Sequence, residues 1–151
     1  MVDAETREII LEMLEEDKVR DDVTSKALIS EKLKARAEII AGDEGYVVGI
    51  PEALTVFQEL GVEADAKINE GKRVETGDVI IELEGRARDI LASERVALNL
   101  LSHMSGVATA TREMKAEVEK VDSHVQIAAT RKTSPLLRKF EKRAVEVMEG
   151  E

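Results

Sequence analysis

The stretch ATRKTSPLLR, residues 129–138, says most about the fold of this chain. It completes an alternating apolar run at 125–129 that predicts a strand, and its Pro135 suits the first turn of a helix predicted over about 134–148. The segment therefore predicts a strand followed by a helix, with a short polar turn between them.

Two adjacent cations, Arg131 and Lys132, lie where this strand gives way to this helix. The backbone turns at a strand end, so both side chains can converge on one carboxylate or phosphate. Thr130 and Thr133 offer hydroxyls to the same anion, and the helix N-terminus adds favourable partial charge. The combination favours an anion-binding site over the alternative, which is two solvated cations on an acidic protein.

Upstream of this unit, one long helix is predicted from about Ala87 to a turn at Asp122 and Ser123. Ser105 and Gly106, in its middle, predict a kink or the close approach of another backbone. Apolar or small residues recur at steps of three or four and form a nearly continuous stripe; they are Val96, Leu100, Met104, Val107, Thr111, Met114, Val118 and Val121.

The N-terminal part carries patterns for helices and a small sheet. Helices are predicted over 5–16 and over about 51–60, the second with Gly61 as its C-terminal stop. Thr24 or Ser25 is expected to cap a short segment between them. Strands are predicted over 33–39, 46–50, 64–68 and 79–83, the second returning from the first through a turn at 42–45.

Composition narrows the classes of function. With 22 Lys and Arg against 32 Asp and Glu, the 151 residues carry a formal charge of −10, which disfavours nucleic acid and anionic lipid as partners. The sequence has no cysteine, so disulfides and thiolate chemistry are excluded. It shows no signal peptide and no long apolar run, so we expect a cytoplasmic protein that does not contact a membrane.

Five pieces of the sequence, in this order, resemble the quinolinate phosphoribosyltransferase family. They are ED (16–17) with DVT (22–24), GYVVG (45–49), GKRVETGD (71–78), SERVALN (93–99) with SGVATAT (105–111), and TRKTSP (130–135). The last two are the longest and resemble the family's linking helix and first barrel strand. Asp21 and Leu136 depart from the family pattern, because glycine is usual at both positions.

The resemblance implies an α+β fold. Residues 1–121 would form a small N-terminal helix and sheet domain with a long linking helix, and residues 122–151 the first β-α unit of an incomplete α/β barrel. A (β/α)₈-type barrel takes ~200 residues or more. We therefore expect this chain to be the N-terminal part of the enzyme and to be inactive alone.

The resemblance also implies an activity. The family converts quinolinate and phosphoribosyl pyrophosphate to nicotinate mononucleotide, CO₂ and pyrophosphate, with Mg²⁺ whose ligands would not be in this chain. Thr130, Arg131 and Lys132 would bind substrate, whereas no catalytic acid or base is identified.

Arg95 resembles an arginine that the family's linking helix offers to the site of a neighbouring subunit, which implies a homodimer or higher oligomer with shared sites. Its helix neighbours Leu91 and Asn99 give it no carboxylate partner. A helix from Arg95 to residue 120 spans on the order of 37 Å. The strand that follows retraces only ~20 Å, so we expect Arg95 and Arg131 of one chain to lie far apart.

Other interpretations stay open at this point. The chain could be a non-enzymatic interaction module whose exposed helix face and unpaired strand are covered by a partner. It could be a lipoyl- or biotin-carrier-like domain, although Lys72, the best candidate lysine, lies at the start of a long loop and not at the tip of a tight hairpin. An enzyme of the same family with a different substrate is also possible. His103 and His124 are isolated from one another and predict no metal site.

Overall fold

The structure, a computed structural model, describes residues 2–19, 22–121 and 124–149. Asp21, Asp122 and Ser123, which carry expectations from the sequence, lie outside these ranges. In chain order the helices and strands are α1 (Ala4–Glu16), α2 (Val23–Leu28), β1 (Lys34–Ile40), β2 (Gly45–Tyr46), α3 (Ile50–Glu59), β3 (Glu63–Ala66), β4 (Arg73–Val74), β5 (Val79–Arg86), α4 (Ala87–Glu119) and α5 (Arg138–Glu149).

A three-stranded antiparallel sheet in the order β1-β5-β3 underlies the N-terminal half. Its register pairs Ala37 with Leu83 and Ala66 with Ile81. Side chains alternate between a core face, where Ile81 and Leu83 are buried, and a charged face exposed to solvent. The alternation predicted over 33–39 is confirmed.

The second predicted strand, 46–50, is wrong in both length and partner. β2 has two residues and pairs with β4, not with β1. Gly49 follows with φ of 105°, a left-handed conformation that favours glycine, and α3 begins at Ile50. The start of α3 is held by Glu70, whose carboxylate accepts from the Gly49 N–H at 2.8 Å and the Ile50 N–H at 3.1 Å.

Short polar side chains begin the first two helices. Asp3 accepts a hydrogen bond from the Thr6 N–H at 2.8 Å at the start of α1. Asp22 accepts from the Ser25 N–H at 3.0 Å at the start of α2. The expected cap at Thr24 or Ser25 is therefore wrong, because the carboxylate just before them takes that position.

Helix α4 runs without interruption through Ser105 and Gly106. A Cβ on Gly106 would meet nothing within 4 Å, so the close approach expected there is wrong for the glycine. It occurs at Gly49, where a Cβ would lie 3.4 Å from the Leu101 Cα. Ser105 does bind backbone, since its hydroxyl accepts from the Val48 N–H at 3.1 Å and donates to the Val48 carbonyl at 3.2 Å.

The predicted stripe on α4 is buried only along its first two thirds. Val96, Leu100, Met104 and Thr111 are buried in the core, while Val121, beyond the last turn, is 90% exposed. Helix α4 ends at Glu119, with Lys120 at its C-terminus.

The C-terminal unit differs most from its prediction. Residues 124–134 form neither helix nor strand, and α5 begins at Arg138 instead of about residue 134. A lone strand has no neighbour to bond its backbone, so the apolar alternation at 125–129 is not sufficient for a strand here. Helix α5 instead packs on α4, and its Phe140, Ala144 and Met148 are buried.

Candidate functional site

The basic segment, residues 130–134, forms a tight local turn. The Thr130 hydroxyl accepts a hydrogen bond from the Lys132 N–H at 3.0 Å. Arg131 and Lys132 are both exposed. The Thr133 hydroxyl already has a partner within the chain, since it accepts a hydrogen bond from Arg138 Nε at 3.1 Å. The structure thus places both cations at the surface on a short turn.

Glu141 of α5 ties the end of this segment to α4. Its Oε1 accepts from the Ser134 N–H at 3.1 Å and lies 3.0 Å from His103 Nε2. Partial burial acts to raise the pKa of Glu141, but the hydrogen bond from Ser134 and the contact with His103 outweigh it, so this pKa is lower than usual. This contact of His103 could not be predicted from the sequence, because its partner is contributed by another helix.

The turn before α5 contains Leu136, which stands where the family pattern has glycine. Leu136 has φ of 66° and is 89% exposed. This left-handed conformation is the one that glycine adopts without strain. The Leu137 N–H donates to the Ser134 carbonyl at 3.1 Å and closes the turn, so Pro135 precedes the helix and does not begin it.

Arg95 lies on α4 with its side chain 72% exposed. Its Nη1 donates to Asp17 Oδ1 at 2.7 Å, and this hydrogen bond raises the pKa of the guanidinium. Leu91 and Asn99, four residues away on either side, supply no carboxylate, as expected, but Asp17, the residue that follows α1, does. The two partners are 78 positions apart, which is why the sequence did not reveal the pair.

The C-terminal end of the basic segment lies beside α4, the helix that carries Arg95. The segment folds back along α4, since Glu141 holds Ser134 beside His103. His103 is eight residues from Arg95, about 12 Å along the helix axis. Even so, among the described residues no hydrogen bond or ion pair joins Arg95 to residues 130–132.

A separate cluster of charges holds α5 against α3. Glu52, on the first turn of α3, is 1% exposed, and its Oε2 accepts from Arg143 Nη1 at 3.1 Å. The same nitrogen donates to Glu70 Oε1 at 2.9 Å. Burial raises the pKa of Glu52, although the charge of Arg143 opposes the shift. A lone acidic residue within the apolar run 47–57 was the one signal of this cluster in the sequence.

Neither a metal cluster nor a membrane span is found in the described part of the chain. Residues 2–19, 22–121 and 124–149 contain no group of three or more His, Asp or Glu side chains placed to hold a metal ion. Within the same ranges, every helix is too short or too polar to cross a bilayer. Lys72, the carrier-like candidate, is exposed beside β4.

Two family models of known proteins match this chain. The family model of the quinolinate phosphoribosyl transferase N-terminal domain matches residues 22–105, and that of the C-terminal domain matches residues 107–150. The first match alone covers more than half of the chain. The chain belongs to the quinolinate phosphoribosyl transferase family.

Individual relatives have related names. A probable nicotinate-nucleotide pyrophosphorylase (carboxylating) of Methanothermobacter thermautotrophicus is 39% identical over 144 residues, which is 95% of this chain and 52% of the relative. Quinolinate phosphoribosyltransferase (decarboxylating) 1b of Nicotiana tabacum is 36% identical over 126 residues, covering 82% of this chain and 35% of the relative. The chain spans about half the length of the curated archaeal relatives it matches.

Solved structures share the fold. The nicotinate-nucleotide pyrophosphorylase of Ehrlichia chaffeensis matches 99% of this chain and 54% of its own, with a TM-score of 0.85 and 30% identity. NadC of Streptococcus pyogenes matches 93% of this chain and 52% of its own, with a TM-score of 0.80 and 34% identity.

Proposed function

We propose that this chain is the N-terminal part of a cytoplasmic, homodimeric phosphoribosyltransferase that acts on quinolinate. The observation that carries the proposal is the similarity to nicotinate-nucleotide pyrophosphorylase along 95% of the chain. In the reaction, the ring nitrogen of quinolinate attacks the anomeric carbon of phosphoribosyl pyrophosphate, and pyrophosphate leaves with the electron pair of the broken C–O bond. The 2-carboxylate then leaves as CO₂ and a proton takes its place, which gives nicotinate mononucleotide.

In this proposal the exposed cations hold the two carboxylates of quinolinate. Arg131 and Lys132 are consecutive residues on the turn that Thr130 closes, and both are exposed. Arg95 would come from a second subunit, which fits its exposure and its lack of described contacts with residues 130–132. Fixed cations suit this chemistry, because charge that develops in the transition state meets donors already in place.

Magnesium would enter with phosphoribosyl pyrophosphate, but the described residues do not fit a site for it. Mg²⁺ binds through carboxylate and phosphate oxygens. The basic segment offers cations, and no carboxylate cluster accompanies them in the described ranges. In this proposal the ligands of the metal lie in the remainder of the barrel.

An assay of a full-length form, in which this chain is followed by a complete barrel, tests the proposal. Quinolinate with phosphoribosyl pyrophosphate should give nicotinate mononucleotide, pyrophosphate and CO₂ in equal amounts. Nicotinate lacks the 2-carboxylate and is the matched control substrate, which we expect to react poorly. Turnover of nicotinate but not of quinolinate would show that the protein is a phosphoribosyltransferase but would contradict quinolinate as its substrate.

A non-enzymatic interaction module is the second candidate. Val121 and Leu136 are 90% and 89% exposed, and residues 124–134 have no regular structure, so this end of the described chain presents uncovered apolar surface. The same assay decides between the two, because a binding module would release no pyrophosphate.

A further inference from the structure

The carboxylate that binds Arg95 lies on a fixed piece of backbone. Asp17 directly follows α1, and its N–H donates to the Met13 carbonyl at 3.0 Å, which continues the hydrogen bonding of the helix. Its side chain is only 23% exposed, whereas that of Arg95 is 72% exposed. The less mobile partner therefore determines the position of the more mobile one.

The geometry of the contact leaves part of the guanidinium available. Asp17 accepts from Nη1. Among the described residues, no other hydrogen bond to the Arg95 guanidinium is present, so the edge formed by Nε and Nη2 has no partner there. That edge presents two parallel N–H groups, the arrangement that binds a carboxylate through both of its oxygens.

We infer that Asp17 is a positioning residue, which orients Arg95 so that its Nε–Nη2 edge faces a carboxylate of the substrate. This inference rests on the proposed function, since it takes Arg95 to be a substrate-binding residue. The family resemblance of the first motif, ED at 16–17, left the purpose of this acidic pair unassigned. The structure gives its second member a contact with the substrate-binding helix.

Asp17 can affect substrate binding in two ways, by orienting Arg95 and by repelling the substrate, and the two predict opposite changes in affinity when Asp17 is removed. A carboxylate beside Arg95 also repels an anionic substrate, so its removal would tighten binding if repulsion dominated. The contact lies at the surface, where water and salt screen such repulsion. A free arginine must instead be ordered when the substrate binds, and this cost weakens binding about threefold to tenfold. We therefore expect removal of Asp17 to raise KM.

The test compares Asp17→Ala and Asp17→Glu with Arg95→Ala in a full-length form. We expect Asp17→Ala to raise the KM for quinolinate about threefold to tenfold with kcat nearly unchanged, and Asp17→Glu to recover part of the loss. Glu59→Gln is the matched control, because Glu59 binds Arg7 of α1 in a similar surface pair at 2.6 Å. It should lower stability to a similar degree without changing KM.

A second measurement, on the 151-residue chain itself, follows the order of the Arg95 side chain. The ¹⁵N relaxation of Arg95 Nε reports motion on the picosecond to nanosecond timescale. Its order parameter should fall in Asp17→Ala and stay at the wild-type value in Glu59→Gln. An unchanged order parameter, or a lower KM in Asp17→Ala, overturns the inference. An Arg95→Ala variant with wild-type KM overturns the proposed role of Arg95 instead.

Discussion

Replacement of Arg143 by methionine tests how α5 is held on the N-terminal half. Methionine keeps an apolar stem but removes the cation, so Glu52, 1% exposed, loses the partner 3.1 Å away. Removal of one member of a buried ion pair costs roughly 3–5 kcal/mol. The Arg143 side chain is 32% exposed and water reaches this end of the pair, so we expect the lower limit. The expected loss is about 3 kcal/mol near pH 8, or roughly 6–12 °C in Tm.

The pH dependence of this loss has a definite sign. Burial raises the pKa of Glu52 against the opposing charge of Arg143, so the folded protein holds this proton more tightly than the unfolded chain does. The variant lacks the opposing charge, so its pKa rises further. The contribution of Glu52 to stability is full below its unfolded-state pKa and is lost as the pH rises through its folded-state pKa. The deficit of Arg143→Met therefore grows from acid toward neutral pH.

Urea denaturation at about pH 5 and about pH 8 measures this difference in the free energy of unfolding. The double variant Glu52→Gln/Arg143→Met should regain most of the loss near neutral pH, because the amide carries no charge. Lys139→Met, one turn earlier on α5, is the control and should cost far less, since its partners Asp3 and Glu5 are exposed. A deficit that is equal at both pH values and is not regained in the double variant would refute the reasoning.

Three further predictions concern the basic segment and the chain as a whole. Leu136→Gly should raise the free energy of unfolding by roughly 0.5 kcal/mol, because glycine relieves the left-handed strain and loses little burial at this exposed site; chemical denaturation checks it, and a clear loss of stability contradicts it. In a full-length form, Arg131→Ala and Lys132→Ala should each lower kcat/KM for quinolinate more than about tenfold; wild-type values in both variants would remove these residues from the site. The 151-residue chain alone should release no pyrophosphate above a buffer blank, and clear turnover would mean that the essential residues lie within it.

The sequence pattern was sufficient to predict the helices and strands whose side-chain spacing is set within one segment. The apolar stripe of α1, Pro51 at the start of α3 and the alternation along β1 each predicted the observed element. The spacing of apolar residues along a helix or strand depends on its own geometry and not on its neighbours, so it can be read from the sequence alone.

Elements that depend on distant partners were predicted less well. β2 is two residues long because Gly49 turns the chain and β4, not β1, bonds its backbone. The run at 125–129 has the alternation of a strand, but a strand also needs a hydrogen-bonded neighbour, and none of the described strands pairs with it. The local pattern reports side-chain spacing and carries no information about pairing.

The candidate site shows the same division. Arg131 and Lys132 were recognisable because adjacent cations between hydroxyls form a local motif. The long-range contacts around these residues were not, since Asp17 reaches Arg95 across 78 positions and Glu141 reaches His103 across 38. Side-chain contacts between residues so far apart in the chain leave no periodic signal in a single sequence.

Subunit mixing tests most directly the central claim, that Arg95 and the basic segment of different subunits form one site for quinolinate. Full-length Arg95→Ala and Arg131→Ala variants, each nearly inactive, are mixed and allowed to exchange subunits before assay. A mixed dimer then has one site with both arginines intact, so the account predicts recovery of about a quarter of wild-type activity at random exchange. No recovery, with exchange verified by native mass spectrometry, would place both arginines in the site of one chain and contradict the shared site.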